Sequence, residues 1–392
     1  MECYFGYEKE YLKNINGLNT AREIYQQPEL WSQTLDIMKA NKKDLDQYLA
    51  QIIEKEGLRV IFTGAGTSAY VGESVVPTLR KNNNISIEAI ATTDIVAKPL
   101  QYLKKEIPTL LISCARSGNS PESVAAVEIA EKVIDEFYHI VITCNSDGEL
   151  AKRSRLKDNE YLLLMPKLSN DKGFAMTGSF SCMLLASMMI FEKNMEDVER
   201  QVQEVSSIGK GICEDNYRNL DEMMDKKVEK VVYLGAGGYL GLARESCLKL
   251  LELTGGNLAT LYETPLGFRH GPKSIVDDNT IVFSYISGDD YSRNYEIDLL
   301  RELSGDEGNK FVVAISQDKD DNLESFADRV IDLGIQKNSI KEGYDMLAYI
   351  LYAQIFALKQ SINRGFGPDN PCPSGEVNRV VQGVTIHEFD VK

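Results

Sequence analysis

Short apolar runs that end in small turn residues alternate along this chain with stretches of helical periodicity, an order that predicts an α/β fold of parallel sheets covered on both faces. The runs form two series. VIFTGAGTS (60–68), LLISCARS (110–117), HIVITCNSD (139–147) and YLLLMP (161–166) make the first, and VYLGAGGYL (232–240), IVFSYISG (281–288), KFVVAISQD (310–318) and VIDLGI (330–335) the second. The two Gly-Ala-Gly triplets stand 171 positions apart, the second and third runs superpose at that offset, and the fourth falls close to it. Helical patterns fill the gaps over 68–81, 121–136 and 177–193, then over 239–254, 291–304 and 343–361. The expected organisation is a helical arm over 1–50, a first domain over 51–213, and a second domain with a C-terminal tail over 214–392.

Composition narrows the chemistry. At 392 residues the chain can bury two sizeable cores, and 43% hydrophobic with 26% charged residues is a globular balance. Forty-three Lys and Arg against 59 Asp and Glu leave a net charge of −16, which repels nucleic acid and anionic membranes. An anionic substrate would need a locally built pocket. The longest apolar runs, such as LLASMMIF (184–191), are too short to span a bilayer, and MECYFGYEKEY lacks the basic-then-apolar order of a signal peptide, so a cytoplasmic protein is expected. Seven scattered Cys, with no CxxC and no His nearby at ligand spacing, predict reduced and mostly buried thiols and no structural metal.

Candidate chemistry starts in TLLISCARSGNSPESVAA (109–126). Ser120 stands at an N-cap position and Pro121 at the first helical position, where a missing N–H does no harm. The N–H groups of a helix start carry partial positive charge, and Arg116, Ser117 and Ser120 add donors beside them. The turn is therefore either a phosphate cradle or an ordinary capped turn. The second series has ISGDDYSR (286–293) there, and Asp289 with Asp290 would repel a phosphate, which leaves the anion site to the first copy. What distinguishes the second copy is a helix on which Glu245, Lys249 and Glu252 fall within about 60° of one another, while Leu242, Ala243, Cys247, Leu248, Leu250, Leu251 and Leu253 cover most of the rest. Either this stripe is a narrow solvent window with an i, i+4 ion pair, or it lines a closed cleft where a carboxylate can shuttle protons. GFRHGPKS (267–274) follows, in which His270 is an innocent loop residue or a general acid/base. His139 and His387 read as structural or solvated.

GTS (66–68), SGNS (117–120), KLLE (249–252) and RHGP (269–272) resemble, in that order, the sugar-phosphate-binding and catalytic motifs of the isomerase half of glucosamine-6-phosphate synthase. REIYQQP (22–28) resembles the segment that leads into that half. The chain as a whole resembles a tandem sugar-isomerase-domain (SIS) protein. ARSGNSPES, LGFRHGPKS and NRVVQGVTI (378–386) are similar to the AgaS-type family of galactosamine-6-phosphate deaminase/isomerases, also called tagatose-6-phosphate ketose/aldose isomerases. Carried over by position, the resemblance implies that Thr67, Ser68, Ser117 and Ser120 hold the phosphate. It implies that Glu252 moves a proton between adjacent sugar carbons and that His270 opens the ring, with no cofactor. In the synthase that His reaches in from a partner subunit, so the resemblance implies a homodimer with a shared active site.

Two departures bear on the reaction. Gln382 stands where the synthase has a Lys near its C-terminus, so that chemistry is absent or falls to Lys249. Cys3 is not the residue after Met that a glutaminase domain requires, and without glutamine as donor amination is disfavoured. The implied reaction is isomerising deamination of galactosamine 6-phosphate to tagatose 6-phosphate and ammonia. Ketose/aldose isomerisation of a nitrogen-free phosphosugar is the alternative within the class. A non-catalytic phosphosugar sensor is the reading from another class, opposed by the presence of both Glu252 and His270. GAGTSA (64–69) also has the GxGxxA outline of a dinucleotide fingerprint, but GAGGYLG breaks that spacing.

Overall fold

The computed structural model describes residues 2–337, 339–381 and 383–390. A small antiparallel hairpin of β1 (Cys3–Tyr4) and β2 (Tyr7–Glu8) is followed by two five-stranded sheets, each wholly parallel. The first holds β3 (Arg59–Thr63), β4 (Ser86–Ala89), β5 (Thr109–Ala115), β6 (Phe137–Thr143) and β7 (Glu160–Leu164) in the order β4-β3-β5-β6-β7. The second holds β8 (Lys230–Leu234), β9 (Ala259–Glu263), β10 (Thr280–Tyr285), β11 (Phe311–Ser316) and β12 (Arg329–Asp332) in the matching order β9-β8-β10-β11-β12.

The duplication seen in the sequence is thus a duplication of topology, and for two strands of register as well. Phe62 pairs with Ile112 as Tyr233 pairs with Phe283, both at the offset of the glycine triplets. The third strand departs from it. Ile112 lies opposite Ile140, whereas Phe283 lies opposite Val313, two residues beyond the position that the sequence superposition assigns. A slip of two keeps the same side chains facing the core, since strands alternate with period 2. The helix before that strand is also longer in the second copy: Asp290–Gly305 has 16 residues where Pro121–Val133 has 13.

Six helices fall on the six predicted patterns: Thr67–Asn82, Pro121–Val133 and Gly178–Met189, then Gly238–Leu253, Asp290–Gly305 and Met346–Asn363. The strand-to-helix turns leave no room for a side chain. A Cβ on Gly64 would lie 2.5 Å from the Ser68 backbone, and one on Gly235 would lie 2.4 Å from the Tyr239 carbonyl oxygen. No helix among the described residues is long and apolar enough to cross a membrane.

Two compact units result. A front unit comprises Glu29–Asp171, Met176–Met195 and Ser374–Lys392, and a rear unit comprises Met1–Pro28, Lys172–Ala175 and Glu196–Pro373. In the front unit Ile61, Leu111 and Val141 pack against Val127, Ala130 and Val133 of the helix Pro121–Val133. In the rear unit the sheet separates two cores. Val232, Leu234 and Val282 meet Phe268, Leu299, Leu300 and Leu303 on one face. Tyr233, Phe283 and Tyr285 meet Tyr239, Tyr349 and Phe356 on the other, with Phe283 and Phe356 rings 5.1 Å apart and Tyr285 and Tyr349 rings 5.6 Å apart.

Candidate active site

Open parallel sheets take ligands outside the carboxyl ends of the strands, where the strand order reverses. In the front sheet that point lies between β3 and β5, and the segments leaving those strands carry the predicted phosphate ligands. Thr67 and Ser68 open the helix Thr67–Asn82 directly after Gly66, whose φ of 56° is left-handed, and both are buried. The next turn is pinned by its carbonyls and by Asn119. Ser117 O accepts from Asn145 Nδ2 at 2.9 Å, Gly118 O accepts from Leu150 N at 3.1 Å, and Asn119 Oδ1 accepts from Glu149 N at 2.9 Å. Ser120 occupies the N-cap at φ −61° and ψ 129°, but its hydroxyl takes no capping bond from its helix. The front sheet thus brings Thr67, Ser68, Ser117 and Ser120 to one strand end, and a rigid loop of small hydroxyl residues at a helix start is suited to an anion.

Arg116 is buried in the same turn, and its Nη2 donates to the Arg379 carbonyl of the C-terminal tail at 2.9 Å. Arg379 in turn donates to the carbonyl of Asp171. The Asp171 carboxylate accepts from Thr177 N at 2.9 Å, Gly178 N at 3.1 Å and Ser179 N at 2.9 Å, so the helix Gly178–Met189 is capped from within. Sequence reasoning missed this clasp, because its two arginines are 263 positions apart and no local pattern marks them. His139 is fully buried between Glu160 Oε2 at 3.0 Å and Ser113 Oγ at 2.8 Å, a structural role as expected.

In the rear unit, Lys249 Nζ lies 2.6 Å from Glu252 Oε2 and 3.4 Å from Glu245 Oε1. The stripe is not a solvent window. The side chains of Glu245 and Lys249 are wholly buried and that of Glu252 is 25% exposed, while Leu251 beside them is 42% exposed. Burial opposes the charge on Lys249, yet the carboxylates of Glu245 and Glu252 outweigh it and hold the pKa above the usual lysine value. At neutral pH this amine keeps its proton, so it can hold and aim a carboxylate but not act as a base.

His270 is exposed, on a loop that is itself well held. Thr264 Oγ1 accepts from Gly267 N at 3.0 Å, His270 N donates to Gly267 O at 2.9 Å, and Arg269 pairs with Glu302 at 2.8 Å. Phe268, two residues earlier, is buried in the core on the Val232 face of the rear sheet. The helix bearing Glu252 packs on the opposite face, where Ser246 Oγ meets Tyr285 OH at 2.7 Å and the Tyr239 ring meets Tyr285. Phe268, two residues before His270, and the helix bearing Glu252 thus pack on opposite faces of the rear sheet. Gln382 lies outside the described residues.

The family described as SIS domain matches residues 52–193 and 224–364. The D-galactosamine-6-phosphate deaminase AgaS of Escherichia coli is 41% identical over 379 residues, covering 95% of this chain and 96% of its own. The solved tagatose-6-phosphate ketose/aldose isomerase from Escherichia coli is 38% identical with a TM-score of 0.86, covering 96% of this chain and 98% of its own. A solved structure from Clostridium novyi is 49% identical with a TM-score of 0.96, covering 99% and 100% of the two chains.

Proposed function

The chain belongs to the SIS-domain family, and from that premise we propose that it is an enzyme of isomerising deamination, converting galactosamine 6-phosphate to tagatose 6-phosphate and ammonia. The observation that carries this reading is the Lys249–Glu252 pair. A carboxylate fixed by a buried ammonium and still one-quarter open is poised to take a proton from carbon. After the ring opens with help from His270, Glu252 removes the C2 proton and the enolamine is reprotonated at C1. Water then hydrolyses the C2 imine to the ketone, releasing ammonia. Thr67, Ser68, Ser117 and Ser120 hold the phosphate, with Arg116 buried in the same turn, and this binding energy is remote from the reacting carbons. The first sheet's turns thereby supply the grip and the Glu252 helix the proton transfer.

The helix bearing Glu252 and the segment leading into His270 pack on opposite faces of one sheet, which supports two copies offering them to one sugar. The reading therefore takes His270 from a second copy, in a cytoplasmic homodimer. The experiment is to incubate purified protein with galactosamine 6-phosphate, its C4 epimer and its N-acetyl form while measuring ammonia and keto sugar. Ammonia from none of them removes deamination. Keto sugar without ammonia from galactose 6-phosphate, or loss of keto sugar from tagatose 6-phosphate, would move the assignment to plain isomerisation, the activity named for the solved Escherichia coli relative.

A further inference from the structure

We propose that the rear unit carries a second ligand site, at the switch point between β8 and β10, which takes a pyranose without phosphate. A cavity of about 380 Å³ opens there, walled by Gly237, Thr264, Leu266, Tyr291, Tyr295 and Glu296. At the offset of the repeat, Gly237 and Tyr291 stand where the front unit has Gly66 and Ser120. The place is duplicated but its chemistry is inverted.

Where the front turn presents donors, the rear one is already satisfied by carboxylates of its own. Ser287 N and Ser287 Oγ both donate to Glu296, at 2.7 and 2.6 Å, and Glu296 is 1% exposed. Asp289 Oδ1 accepts from Ser292 N at 3.0 Å. Glu342 Oε1 stands 3.5 Å from where a Cβ on Gly237 would lie, beside the start of the helix Gly238–Leu253. A phosphate would meet the Asp289 and Glu342 carboxylates and be repelled.

The walls suit a sugar ring. Tyr291 is 73% exposed, Tyr295 37% and Leu266 46%, a cluster of large apolar side chains that the fold leaves uncovered. The two rings meet edge to face at 5.2 Å and Tyr295 OH donates to Tyr291 OH at 3.1 Å, which fixes their orientation. Such a wall stacks on the C–H face of a pyranose, while the tyrosine hydroxyls and Ser292 bond its hydroxyls. The site is separate from the Lys249–Glu252 pair, which lies at the far end of the helix that starts here, about 20 Å along its axis.

The test titrates the full chain with galactosamine, N-acetylgalactosamine and galactose, each free of phosphate, reading binding by calorimetry and by saturation-transfer NMR. At least one should bind, with Kd raised at least about ten-fold by Tyr291→Ala with Tyr295→Ala, unchanged by Ser117→Ala with Ser120→Ala, and not displaced by galactosamine 6-phosphate. Three outcomes overturn the proposal: none of the sugars binds, binding survives loss of both tyrosines, or the phosphosugar displaces the free sugar. The readout is binding alone, so it stands or falls apart from any turnover.

Discussion

Lys249 Nζ lies between Glu252 Oε2 and Glu245 Oε1, 2.6 and 3.4 Å away, so one buried ammonium serves two carboxylates on a single helix face. Burying charge is tolerable only while each charge is matched. In Lys249→Met, Glu245 stays buried without its cation, and unfolding free energy should drop by about 3–5 kcal/mol. Adding Glu245→Gln should recover most of that loss. Urea titrations of the wild type and the two variants measure both effects, and equal losses in the single and double variants would remove the matching argument.

Glu252→Gln should be far kinder to the fold, because the group is partly open to solvent. Its effect belongs to the rate: ammonia release should fall about 10²- to 10⁴-fold, the usual contribution of a positioned general base. A variant that keeps half its turnover would exclude Glu252 from proton transfer.

A mixing experiment tests whether Glu252 and His270 come from different copies. If His270 is taken from a partner copy, as proposed, Glu252→Gln and His270→Ala proteins should each lose activity alone and regain about a quarter of wild-type activity when co-refolded, since half the dimers would be mixed and each would carry one intact pairing. Absence of any recovery would place both residues at one site in one chain and contradict the two-faced arrangement.

Glu296 provides a pH signature. Burial is the main cause that pushes its carboxyl up to about 7, with Asp289 adding to the rise and the Ser287 hydroxyl, the Ser287 N–H and Arg293 pulling it back. The folded chain thus keeps a proton that the unfolded chain releases near 4.5, and this group's contribution to stability falls as pH rises between about 4.5 and about 7, then stays level. Against a Glu296→Gln background the difference in unfolding free energy should grow across that window by up to about 3 kcal/mol in favour of the variant. A difference that is flat with pH would show that Glu296 ionises normally.

Arg379→Ala should loosen the C-terminal tail without unfolding the front unit. Loss of its bond to Asp171 and weakened support for the Arg116 contact should raise amide exchange over 374–390 about ten-fold, roughly the loss of one charge-assisted hydrogen bond. Exchange confined to wild-type levels would mean that Phe389, packed on the front core, holds the tail by itself.

How much of this was legible depended on where each feature draws its stability. β5 and β10 are buried along their whole length and read as apolar runs, whereas the edge strands β4 and β9 are half exposed, carry little apolar pattern and left no signal. Ser120 and Pro121 announced a helix start because capping is a local matter. The stripe of Glu245, Lys249 and Glu252 was legible as spacing, but its burial depends on what packs over it, which periodicity does not encode. Glu296 looked like any surface charge within a predicted helix. Its bond to Ser287 comes from the turn folding back on that helix.

Taking the proposed imidazole from a second copy has a kinetic corollary. On that reading a solitary copy lacks a complete site, so catalysis would become second order in the protein once copies drift apart. Turnover per molecule would then decline with dilution, and the cell's abundance of the chain would set the pace as much as its supply of sugar.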